Sequence, residues 1–90
     1  MRATILGKTY KISETTTELS GGDLMGAVHR GKQLIVVRND SIGRDQYLET
    51  ILHEALHVID EELSLGLSEE TVARLSVGLY SAGCRIRIEK

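Results

Sequence analysis

His53, Glu54 and His57 stand in the spacing H-E-x-x-H within the stretch ILHEALHVIDEEL, residues 51–63. On an α-helix, positions four apart differ by about 40° in projection and by one turn along the axis. Two imidazoles so placed reach one tetrahedral zinc ion from the same side. Glu54 is turned about 100° from His53, a poor position for a co-ligand and a good one for taking a proton from water. That is the division of labour in zinc-dependent hydrolysis, where ligands hold the ion and a carboxylate serves as base. The plainer reading is the solvated face of an amphipathic helix, because only three positions of the pattern are fixed.

A site of this kind needs a third protein ligand and an open fourth position. Glu69 and Glu70 begin the next helical segment after a short turn. Glu69 lies three residues before Val72 and extends the Val72–Leu75–Leu79 stripe towards the first helix; Glu70 is about 100° away from it. Glu69 is therefore the preferred ligand and Glu70 the reserve, with complementation of a helix dipole as their plainer role. His29 and the single cysteine, Cys84, are weaker candidates. A half-exposed hairpin position and a small buried residue are their ordinary fates. Asp60 shares the histidine face and is placed to orient a ligand histidine as an outer carboxylate. The alternative for Asp60, Glu61 and Glu62 is a solvated acidic run, although acids at a helix C-terminus oppose its dipole.

The element that must position this chemistry is a long helix. Leu48, Ile51, Leu52, Ala55, Ile59 and Leu63 recur at i, i+3, i+4 and i+7, a core-facing stripe. Leu56 and Val58 widen it, and both histidines point away from its centre. Asn39, Asp40 and Ser41 offer N-cap chemistry, with the start near Gly43; the end falls at about Leu65, with Gly66 as C-cap residue. Ser68 caps a second helix that ends at Gly83. Upstream, Thr4–Leu6 and Thr9–Ile12 flank Gly7-Lys8 as one hairpin. Residues 13–23 read as a loop, and Met25–His29 and Leu34–Val37 form a second hairpin around Arg30-Gly31-Lys32. The alternating tail Arg85-Ile86-Arg87-Ile88 suggests an edge strand. The expected fold is α+β, a small antiparallel sheet from N-terminal hairpins packed on two consecutive helices, in a single domain spanning 1–90.

Composition narrows the function classes. Ninety residues with one cysteine can form no internal disulfide, so a core this small looks to a metal or a partner chain for support. The lone thiol and the lack of an apolar leader suggest the cytoplasm. No apolar run approaches the roughly 18 residues that span a bilayer. With a net charge of −2, scattered basic residues, three tyrosines and no Phe or Trp, the chain offers little to nucleic acid. Exposed edge strands would suit homodimerisation.

His53-Glu54-Ala55-Leu56-His57, followed by a second helix bearing a glutamate, resembles the zincin metallopeptidases of the small gluzincin type. Within these it is similar to minimal zincin-like proteins of bacteriophages and prophages, and more distantly to the ImmA/IrrE family. The resemblance covers about residues 45–82. It aligns Leu75-Ser76-Val77-Gly78-Leu79-Tyr80 with a family stretch that follows the third ligand, which implies Glu69 for that role. It also implies Zn2+, a short sheet whose edge strand aligns a peptide, and Glu54 as catalytic base. The gap from His57 to Glu69 is short for the family, and no substrate-binding subdomain fits. Tyr80, Tyr47 and His29 are the candidates for stabilising an oxyanion. Three functions follow as expectations: a zinc metallopeptidase acting on a peptide or protein, a regulatory module that binds a protein partner and keeps zinc for stability, and a metal-free structural domain.

Overall fold

Leu6 and Gly7 have φ of 50° and 79°, both positive, as a two-residue type I′ turn requires. They join strand β1 (Arg2–Ile5) to β2 (Lys8–Thr15), paired antiparallel with Ile5 opposite Lys8. The computed structural model describes residues 1–15, 26–38 and 43–90. The expected hairpin turn is thus one residue earlier, at Leu6-Gly7. Ser13–Thr15, expected as loop, extend β2; Met25 and the rest of that loop lie outside the described residues. The second hairpin runs from β3 (Gly26–His29) through a 3-10 turn at Arg30–Lys32 to β4 (Leu34–Arg38), with His29 opposite Leu34.

The two hairpins join by a parallel pairing of β2 with β4, which places Ser13 opposite Val36 and Thr15 opposite Arg38. This ladder draws polar residues into the strand. The sheet is therefore mixed, in the order β1-β2-β4-β3, where a wholly antiparallel sheet was expected; the α+β class and both antiparallel hairpins hold. The C-terminal tail forms no strand. It meets β1 at one antiparallel bridge, where Arg2 and Glu89 exchange two N–H···O bonds of 2.8 Å.

Helix α1 spans Arg44–Leu63 and α2 spans Glu69–Ser81. Gly43 stands at the N-cap of α1 without a side-chain cap; Asn39, Asp40 and Ser41 lie outside the described residues. The helix ends two residues earlier than expected, at Ser64 with φ 53°, and Gly66 takes φ 73° inside the turn. Two left-handed residues so close together reverse the chain. Ser68 caps α2 as expected, its Oγ accepting from the Thr71 N–H at 3.1 Å.

One face of the sheet and α1 enclose the core: Ala3, Ile5, Tyr10, Ile12, Ile35, Val37, Ile51, Ala55 and Val58. Leu52 on α1 and Val72 on α2 are buried outside that cluster. Leu63 and Leu75, both expected in buried stripes, are 55% and 39% exposed, whereas Ser76 is 1% exposed. The contact face of α2 follows i, i+4 through Val72 and Ser76 rather than i, i+3 through Val72 and Leu75. Eight of thirteen acids lie on the helices, against two of eleven lysines and arginines. Arg2, Lys11, Lys32 and Lys90 line one groove over the other face of the sheet.

Candidate metal centre

Because α1 is regular through residues 53–57, His53 and His57 stand one turn apart on the side facing α2. The reversal at Ser64–Ser68 returns the chain so that the first residue of α2 faces them. Glu69 bridges the pair: His53 Nε2 lies 2.8 Å from Oε1 and His57 Nε2 lies 2.6 Å from Oε2. The two Nε2 atoms are 3.2 Å apart. Tetrahedral zinc with ligands at about 2.0–2.1 Å has ligand–ligand edges of about 3.3 Å, so the imidazole pair already has the required spacing. A set of two imidazoles and one carboxylate is a recognised catalytic zinc set, and these residues fit the ion. The histidine side chains are 21% and 23% exposed and the Glu69 side chain 68%. The carboxylate of the cluster is thus its most solvent-exposed member.

Glu54 projects from the same turn towards the sheet. It is 7% exposed and lies beneath the edge strand β3. A Cβ built on Gly26 would stand 3.3 Å from Glu54 Oε2 and 2.6 Å from the methyl of Thr50. Burial pushes the Glu54 carboxyl up from its ordinary range; the charges of His53 and His57 oppose this and that of Glu69 adds to it. The carboxylate therefore senses all three members of the cluster, and a cation among them would favour its ionised, proton-accepting form.

The other expected participants are elsewhere. Glu70 pairs with Arg74 one turn along α2, so Glu69 alone of the two faces the histidines. His29 ends β3, and its Nδ1 accepts from the Lys32 N–H at 3.3 Å. Cys84 is exposed and outside the cluster, not a small buried residue. Tyr80 donates to Asp45 Oδ1 at 2.7 Å, tying the end of α2 to the start of α1. Tyr47 is half-buried, and its hydroxyl has no hydrogen-bond partner among the described residues.

Asp60 does not orient a histidine. Its Oδ1 accepts from the Leu67 N–H at 2.9 Å and its carbonyl from the Leu65 N–H at 3.0 Å, so it braces the reversal that delivers Glu69. Glu61 and Glu62 need no metal to explain them. Arg30 donates to Glu61 at 2.6 Å and to Glu62 at 2.8 Å, and Lys8 to Glu62 at 3.1 Å. These pairs fasten the C-terminal end of α1 to the hairpins.

Ser76 was missed by sequence reasoning. Its Oγ lies 3.4 Å from His53 Nδ1, and the available signal was a hydroxyl four residues after Val72 on a helix otherwise read by its leucines. Compared with protein-family models, curated proteins and solved structures, the chain has no match. Among the described residues no helix is long and apolar enough to cross a membrane.

Proposed function

We propose that the protein is a zinc-dependent peptide hydrolase of minimal zincin type, with His53, His57 and Glu69 holding the ion and Glu54 as base. The observation that carries this reading is the convergence of two Nε2 atoms and both oxygens of one carboxylate from the next helix. The H-E-x-x-H spacing and the family resemblance support it.

Zinc, when bound, supplies a Lewis acid and makes water acidic near neutral pH. Glu54 accepts the proton of the attacking water as its oxygen bonds to the peptide carbonyl carbon. The same carboxyl delivers that proton to the amide nitrogen, the C–N bond breaks, and an acid and an amine leave. Its buried position beneath β3 limits competing water, and a substrate strand lying along the free edge of β3 would pass beside it. The exposed thiol of Cys84 suits a reducing compartment, in keeping with the cytoplasm.

A second reading has its own support. Two of the three expected oxyanion stabilisers, His29 and Tyr80, are engaged away from the cluster, as a protein-binding module with structural zinc would allow. Metal content after purification without added metal, followed by a peptide-library assay of the wild type and Glu54→Gln, separates the readings. Bound zinc in both proteins with cleavage only by the wild type supports the hydrolase. Zinc without cleavage in either protein favours the structural role, and a metal-free, chelator-insensitive wild type rejects both.

A further inference from the structure

The buried hydroxyl of Ser76 makes two contacts. Its Oγ lies 2.9 Å from the Ala73 carbonyl oxygen and 3.4 Å from His53 Nδ1. A serine hydroxyl has one proton and two lone pairs, whereas a carbonyl oxygen can only accept. The proton therefore goes to Ala73, the closer group, and at 1% exposure the side chain is shielded from solvent. Oγ then has only lone pairs left for His53, and two lone pairs facing each other in a dry site are unfavourable. His53 meets Ser76 favourably only with the ring proton on Nδ1.

We propose that Ser76 is a positioning residue of the metal centre: by accepting from Nδ1–H it fixes His53 in the tautomer whose Nε2 lone pair points at the space between His57 and Glu69. This rests on the reading of His53, His57 and Glu69 as zinc ligands. In that tautomer the Nε2 lone pair meets a carboxylate oxygen of Glu69 2.8 Å away. Acceptors at such distances are reconciled by a cation among them. Turning the ring over would present a C–H to Ser76 and carry Nε2 out of the cluster. Thus α2 supplies both a ligand, Glu69, and the support for a ligand on the other helix.

The test compares Ser76→Thr with Ser76→Val, which have the same shape and differ in one hydroxyl. Zinc affinity is measured by chelator competition, and the His53 ring by 15N NMR of the zinc-loaded protein. In the wild type and Ser76→Thr, His53 is expected to carry its proton on Nδ1 and bind zinc through Nε2. Ser76→Val is expected to bind zinc about tenfold or more weakly than Ser76→Thr, the loss typical of an outer partner. Melting temperatures of the two variants in chelator should agree, which separates loss of the hydroxyl from loss of packing. Equal zinc affinities, or coordination of wild-type His53 through Nδ1, overturn the proposal. A wild type that binds no zinc overturns the metal reading, and the role of Ser76 with it. Metal content alone reveals that outcome, so it is distinct from equal affinities, which reject Ser76 only.

Discussion

Glu54 is the residue at which stability and function pull apart. Its carboxyl is pushed up by burial, so its folded-state value lies above its unfolded one. In metal-free protein the charged form is disfavoured, and stability is lost as pH rises through the folded value. Glu54→Gln is therefore expected to raise the melting temperature of chelated protein at neutral pH, with the gain shrinking as pH falls through the folded value and gone by about 4, the unfolded range of a glutamate. Thermal melts across pH 4–7 check this, and a lower melting temperature at pH 7 would contradict it. At the ligands, Glu69→Ala is expected to abolish stoichiometric zinc binding, while Glu70→Ala, which breaks only an exposed pair with Arg74, leaves it intact. Equilibrium dialysis of the two variants distinguishes them, and equal losses would mean that Glu69 is not the ligand.

Between elements, the site depends on a close approach and a brace. β3 passes over α1 so closely that a methyl at Gly26 would meet the Thr50 methyl at 2.6 Å. Gly26→Ala should destabilise the fold by about 1–3 kcal/mol, as overpacking does. Adding Thr50→Ser, which removes the methyl and keeps the hydroxyl bonded to the Gln46 carbonyl, should recover part of the loss. Denaturant midpoints of the single and double variants report the coupling. Asp60 braces the reversal between the helices. Asp60→Ala leaves the Leu67 N–H without its acceptor and is expected to cost about 1–3 kcal/mol, to speed Leu67 amide exchange and to weaken zinc binding through a less ordered Glu69. The clamp of Arg30 and Lys8 on Glu62 holds that carboxyl below its usual range, chiefly through the hydrogen bonds from Arg30 and then Lys8. Its contribution is present above the unfolded value and fades as pH falls through the folded one.

For the whole molecule, the core between sheet and α1 is small, and a metal that ties α1 to α2 stabilises the folded state by mass action. A ligand at 100 times its Kd adds about 2.7 kcal/mol, and each kcal/mol moves the melting temperature of a domain this size by about 4–8 °C. Chelation is thus expected to lower it by more than 10 °C, measurable by calorimetry with and without EDTA, and an unchanged value would remove zinc from the account of stability. Among the described residues, acids concentrate on the helices, and three lysines and an arginine line a groove over the opposite sheet face.

Periodicity and spacing were sufficient for what is local. The 3.6-residue repeat marked both helices, Ser68 marked a cap, and four-residue spacing put two histidines on one side of a helix, because these depend on backbone geometry within a few turns. Tertiary structure decided whatever depends on where distant segments meet. The parallel joining of the hairpins has no signature within either hairpin. Glu69 rather than Glu70 faces the histidines because Ser64 and Gly66 reverse the chain at a particular angle. Asp60 exchanged an expected histidine for a backbone N–H because the reversal reached it first, and the acids beyond it found Arg30 and Lys8 from the hairpins. Ser76 became visible only when α2 packed on α1, since a hydroxyl in a helix carries no mark of the ring it will face.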